Sequence, residues 1–439
     1  MADGAPRPAT FGAAVAAAQD KARRSLLRNH GGGHAPVSML ELFFDLVYVF
    51  AITQLSHFLH HHLGWVGLLE GVMLFLALWW AWIYTTWAAN WANPDRLPVR
   101  LMLLALMLLS LLLAIWLPEA FGDKGLHFAL AYVAVQCGRS AYMAHLFRRE
   151  DNPNAVNMVR ITLWFAASAP LWIAGGAIGG GAQIALWLAA LAIEYAGPFL
   201  FFPVPGLGRS TLANWDISGS HMAERCGLFI IIALGEGIIV TGSAFAGGTM
   251  EPGRLAALLF AFFGSVLMWW IYFDIGARRG ARMIAEQALP GRLARNAYTY
   301  VHMPIVLGIV IAAIADALVL EHWNEPAGDA LIAVLCGGLI VFLAGVGLFK
   351  RFHNPFGNLP LSHSFGIVLL ALLGLYGWQA RPNSVGFVAL SCAVLMVTAV
   401  WEWVSYNGGW IEKMERRGWA LGAQLRARSE RRQQRLRRD

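Results

Sequence analysis

The feature that most constrains this chain is a rhythm. Twelve mainly apolar stretches of about twenty residues follow one another along the 439 residues, at 40–59, 66–88, 97–117, 126–147, 157–176, 182–203, 222–246, 253–275, 296–319, 328–349, 363–380 and 384–406. The chain is 58% hydrophobic and only 13% charged, where a soluble domain carries about 25% charged residues. In lipid a backbone must satisfy its own polar groups, so such stretches cross as helices. The fold class is therefore all-α: a polytopic integral membrane protein with about 12 transmembrane helices.

Lys and Arg concentrate on the cytoplasmic side of membrane proteins. With the N-terminus placed inside, the outer connections carry only Lys124, Arg254 and Arg381 of the 33 basic residues. Arg139 and Arg225 lie within spans, and all the others fall on the inner side. A missing or extra helix would scramble this alternation. Both ends are accordingly expected in the cytoplasm. Residues 1–36 hold no apolar core before a small-residue cleavage site, so no signal peptide is expected. Residues 11–29 have the pattern of an amphipathic helix lying on the membrane. Cys137, Cys226, Cys336 and Cys392 all sit in apolar stretches, far apart, so neither a disulfide framework nor a cysteine metal motif is expected.

The partners implied are the bilayer and, at the basic tail from Lys413 onward, anionic lipid, worth about 1 kcal/mol per basic residue near the surface. No aromatic interleaving in the tail supports nucleic-acid binding. A homo-oligomer is compatible with all of this. The outer connections are short, so any chemistry or conduction has to lie in the bundle.

The two halves echo each other. Trp79-Trp-Ala-Trp-Ile-Tyr84 ends span two and Trp269-Trp-Ile-Tyr272 ends span eight. Val49 to Leu55 in span one aligns with Ile231 to Gly237 in span seven. A six-plus-six repeat follows, with both halves in the same orientation. The expected divisions are a cytoplasmic segment 1–36, a first half 37–210, a second half 211–406 and a basic tail 407–439.

Ionisable residues inside spans are costly and therefore informative. Glu41, Asp45, Tyr48, Ile52 and Ser56 share one face of span one, because i and i+4 are neighbours on a helix. An acidic stripe should face other helices or water, although acidic residues also cap helix N-termini. In span seven His221, Glu224 and Arg225 share a polar face, with Glu224 or Asp45 as partner for Arg225. Further along, Glu236 stands between Gly235 and Gly237, which weaken the helix and let a neighbour approach. Gln136, Arg139 and Ser140 form a patch in span four, with Glu194 in span six as a candidate partner for Arg139. Asp274, Glu402, His57 and Asp316 lie near span ends, where the interface is in reach.

The ion- or solute-binding candidates are thus Glu41, Asp45, His221, Glu224, Arg225 and Glu236, with Gln136, Arg139 and Glu194 as a secondary patch. No HExxH, GxSxG or phosphate-binding glycine loop occurs, so no catalytic residue, cofactor or metal is assigned. His221-x-x-Glu224 with Asp45 and Glu236 would be the only route to a metal site, in a lipid-acting hydrolase or transferase.

Two resemblances follow from these residues. Glu41-Leu-Phe-Phe-Asp-Leu-Val-Tyr-Val-Phe-Ala-Ile-Thr-Gln-Leu-Ser, Asn93-Pro-Asp-Arg96 and His221-x-x-Glu-Arg-x-Gly-Leu-Phe-x-Ile-Ile-Ala-Leu-Gly-Glu236, in that order, resemble the bacterial low temperature requirement A (LtrA) family over roughly 36–405. That likeness implies a bacterial inner-membrane protein without a settled biochemical activity. Gly237 stands where the family pattern leads to Ser. Phe44-Asp45-x-Val-x-x-x-Ala-Ile-Thr53 is similar to the first helix of the endolysosomal potassium channel family, with Phe44 in place of a Ser. The reading that unites these features is movement of a small ion or solute between two half-bundles. A metal-dependent membrane enzyme and a structural or sensory protein of the cold response are the alternatives.

Overall fold

The computed structural model describes residues 25–28, 36–286, 290–353 and 358–407, with scattered positions between 414 and 431. The basic tail and most of the expected amphipathic helix at 11–29 lie outside the described residues. Within the latter, 25–28 runs extended, not helical, against the turn after α2.

The described residues form twelve long helices: α1 Met39–His61, α2 Trp65–Trp91, α3 Leu97–Trp116, α4 Gly125–Arg149, α5 Ala155–Ile178, α6 Gly180–Leu200, α7 Gly219–Ala246, α8 Pro252–Ala285, α9 Gly291–Glu321, α10 Asp329–His353, α11 Leu361–Ala380 and α12 Ser384–Asn407. Eleven are long and apolar enough to cross a bilayer. The exception is α4, whose hydropathy is diluted by His127, Gln136, Arg139, Ser140 and His145. No strand occurs among the described residues.

Local chemistry sets the helix ends. Ser38 caps α1, and Glu41 reaches back to the Ser38 backbone N–H at 2.8 Å, closing a capping box. Proline opens α3 and α8, where its missing N–H costs nothing. The glycine run 179–181 makes the turn between α5 and α6: Gly179 has φ 75° and Gly180 φ 61°, a region that glycine enters at least cost. Two helices depart from α geometry. Tyr272–Ala277 in α8 and Ala294–Tyr300 in α9 are π-helical, a local widening common at functional sites.

The neighbour order is the same in each half. In the first, α1 packs on α3, α3 on α4, α4 on α5, α5 on α6, and α2 on α4 and α6. In the second, α7 packs on α9, α9 on α10, α10 on α11, α11 on α12, and α8 on α10 and α12. Between the halves α1 meets α7 and α9, and α2 meets α7. Most of α9 is buried, which makes it the central helix. We call the side on which α1 begins the near face and the other the far face.

Candidate functional site

The α1 stripe turns wholly inward. Glu41, Asp45, Tyr48, Ile52 and Ser56 are buried, whereas Phe43 and Leu46 are 52% and 59% exposed and face outward. Across from the stripe stands α7, and the two helices meet in three layers.

The layer by the near face is ionic. Glu41 accepts from Arg28 at 2.7 Å and lies 3.1 Å from His221 Nε2. On the other side of that ring, His221 Nδ1 is 3.1 Å from Asn90 of α2, whose amide also grips the Ser218 backbone through both its nitrogen and its oxygen. Arg225 donates to the Glu41 carbonyl at 2.8 Å and to Asp45 Oδ1 at 2.8 Å. Trp82 Nε1 donates to the same Asp45 oxygen at 2.9 Å. Of the two partners open to Arg225 in the sequence, the fold brings Asp45; Glu224 points outward and is exposed. The pair is not fully satisfied, because Asp45 Oδ2 and Arg225 Nε are buried with no hydrogen-bond partner.

A strap covers this layer. Ser25 and Leu26 bind the Glu150 carboxylate at 2.9 and 3.1 Å, and Arg28 and Asn93 exchange backbone bonds with Trp91 and Leu26. Arg28 is thereby held over Glu41.

The middle layer is aromatic. Phe229, one turn beyond Arg225, packs its ring 4.1 Å from that of Trp82, 5.7 Å from Trp79 and 6.4 Å from Tyr48. Phe44 lies 5.2 Å from Tyr48. Trp79 is held by its Nε1, which donates to the Thr299 carbonyl at 2.8 Å. That carbonyl belongs to the π-helical segment of α9, so the irregular backbone is tied directly to the aromatic layer.

Towards the far face the third layer contains Glu236. It lies about 16 Å along α7 from Arg225, and Thr53 about 12 Å along α1 from Asp45. Thr53 Oγ1 is 2.6 Å from Glu236 Oε2, while Glu236 Oε1 is buried with no partner. The Ser56 hydroxyl, on the next turn of α1, is also buried and unpartnered. The helix irregularity expected at Gly235 and Gly237 is absent: α7 is continuous from Gly219 to Ala246. Nor does tight packing demand these glycines. A Cβ at Gly235 would meet nothing within 4 Å, and one at Gly237 only Ala313 and Ser265 at 3.5 and 3.8 Å. Tertiary packing holds the helix against its local weakness.

The secondary patch forms a chain, not a direct pair. Arg139 donates to Gln136, Gln136 to Tyr132 at 2.8 Å, and Tyr132 to Glu194 at 2.6 Å. Ser168 and Trp172 complete the Glu194 carboxylate at 2.7 and 2.8 Å. Two side chains one helical turn apart on α4 bridge a gap that the Arg139 side chain does not span. A cavity of about 50 Å³ adjoins Arg139 on the near-face side, lined by Tyr84, Trp87, Trp91, Trp215 and Arg295 among others.

Some partners were invisible in the sequence. Lys350, counted there among loop charges, is buried and binds Glu402 and the Ile271 carbonyl, each at 2.6 Å. Asp316 is 7% exposed and accepts no hydrogen bond from a described residue. Arg28, Thr53, Trp82 and Asn90 carried no signal of their own, since each is defined by a contact to a distant helix. Among the described residues no three His, Cys, Asp or Glu converge as metal ligands.

Twelve helices, eleven of them apolar enough to span, packed around buried ionic and carboxyl layers define a multi-pass membrane protein. The chain matches the bacterial low temperature requirement A protein (LtrA) over residues 36–401, and it belongs to that family. It is 40% identical over 381 residues to an uncharacterized protein of Rhizobium meliloti (strain 1021), covering 86% of this chain and 92% of the relative. No solved structure matches.

Proposed function

We propose that this protein moves a small ion or solute across a bacterial inner membrane, along the α1–α7 contact between its two half-bundles. One observation carries the reading. Glu236 is a carboxyl buried at membrane depth with no basic partner, one oxygen on Thr53 of the facing helix and the other unused. A carboxyl so placed costs free energy that a purely structural role does not return. The near face is taken as cytoplasmic from the distribution of Lys and Arg. In the conformation described, the aromatic layer and the Asp45–Arg225 pair close the route from that face, so passage requires their rearrangement. The half-satisfied pair and the π-helical anchor of Trp79 supply elements able to switch.

The matching neighbour order of the halves supports a six-plus-six duplication, divided at 210/211. Flux of monovalent ions into proteoliposomes tests the transport reading. Wild type passes ions, and E236Q, folded and reconstituted equally, passes none. Equal flux from both would refute it. A second reading, charge pairs that only fix helix register, is favoured by the dryness of the Asp45–Arg225 contact; it predicts no flux from either protein.

A further inference from the structure

We propose that the species bound at Glu236 is a proton, exchanged with the far face. This deepens the reading above and rests on Glu236 being its site.

The hydroxyl of Thr53 makes two contacts to acceptors, 3.1 Å to the Val49 carbonyl and 2.6 Å to Glu236 Oε2. It has one hydrogen to give. An ionised Glu236 has to take that hydrogen from Val49, whereas a protonated Glu236 donates to the Thr53 oxygen while Thr53 donates to Val49, as threonines in helices do, and both contacts are met. An ionised carboxylate here would instead stand in a low dielectric with no cation beside it.

The surroundings suit no metal ion. Hard cations take six or more oxygens, and among the described residues only Thr53 brings an oxygen to hydrogen-bond distance of this carboxyl. α1 offers His57, one turn beyond Thr53 and exposed. α9 offers Asp316, α2 offers Glu70 at its far-face end, and α8 offers Ser265 and, at its start, Arg254, whose guanidinium is engaged by the Ala244 and Thr249 carbonyls. None places a positive charge in contact with Glu236. His57 stands on the far-face side of the carboxyl, the side from which the proposed proton comes. A short step further out stands His60, 3.3 Å from Glu321. The step is a simple transfer: a carboxylate oxygen gains the proton that a hydronium ion of the far-face solvent gives up, leaving water.

Dicyclohexylcarbodiimide, which is apolar and attacks carboxylic acids in their protonated form, tests this on the purified full-length wild-type protein. After labelling, peptide mass spectrometry locates the adduct. The expected result is an adduct on Glu236 and none on Asp45, which is committed to Arg225. It diminishes as the pH is raised, and sodium or potassium leaves it unchanged. An unlabelled Glu236, or labelling suppressed by sodium or potassium, overturns the proposal. The labelling needs no flux, so the two readings fail separately. Labelled Glu236 without flux would keep the proton site and remove transport; flux with an unlabelled Glu236 would do the reverse.

Discussion

At the scale of single residues, the Asp45–Arg225 pair is where energetics and mechanism meet. Both groups are buried, and each leaves one polar atom unpartnered. Breaking a buried pair by removing one partner costs about 3–5 kcal/mol, because the survivor is an uncompensated charge. Removing both charges costs much less. D45N and R225Q alone should therefore lower thermal stability in detergent strongly, and the double variant should recover most of the loss. Additive losses would show that the two groups do not act as a pair. The pair was half legible in the sequence: an Arg within one apolar span asks for a carboxylate, and Glu224 and Asp45 were both on offer. Only the rotation of α7, which turns Glu224 outward, decides between them. Glu236 stood out for a different reason, as a carboxyl between two glycines deep in an otherwise apolar stretch.

At the scale of elements, α1 shows what periodicity can deliver. Spacing of i and i+4 alone assigns Glu41, Asp45, Tyr48, Ile52 and Ser56 to one face, and that face is the buried one. What periodicity cannot deliver is the identity of the facing atoms. Trp82 on Asp45 and Asn90 on His221 join helices that are remote in sequence. The backbone of α7 corrects the reading of its glycines, for it stays helical through Gly235-Glu236-Gly237 without being crowded there. Glycine in a helix interior costs about 1 kcal/mol relative to alanine. G235A and G237A should therefore each raise stability by about that amount, measured by thermal or denaturant unfolding, because a Cβ fits at both positions. If the glycines serve to let α7 flex beside Glu236, the same variants slow ion flux. Destabilised variants would mean that the glycines answer to packing.

At the scale of the whole molecule, the two halves share more than helix order. In each, a buried cation on the fourth helix donates to a backbone carbonyl of the second: Arg139 to Ala81 at 3.2 Å and Lys350 to Ile271 at 2.6 Å. Each is also linked to a carboxyl on the sixth, Arg139 to Glu194 through Gln136 and Tyr132, and Lys350 directly to Glu402. We read these as outlying braces that hold each half as a unit, leaving the α1–α7 contact to carry function. The number of helices was plain in the sequence because lipid permits so few solutions. The layering was not, because it depends on how two helices from opposite halves face each other. On the proposed reading this contact opens into a water-filled route. Reactivity of a cysteine at Ser56, in a background lacking the four native cysteines, towards a charged, membrane-impermeant thiol reagent tests it most directly. Ser56 is 4% exposed, so a charged reagent reaches it only by water. S56C should be modified slowly from the far face, and from the near face as well once F229A removes the aromatic layer. A cysteine that stays unreactive from both faces in both proteins would contradict it.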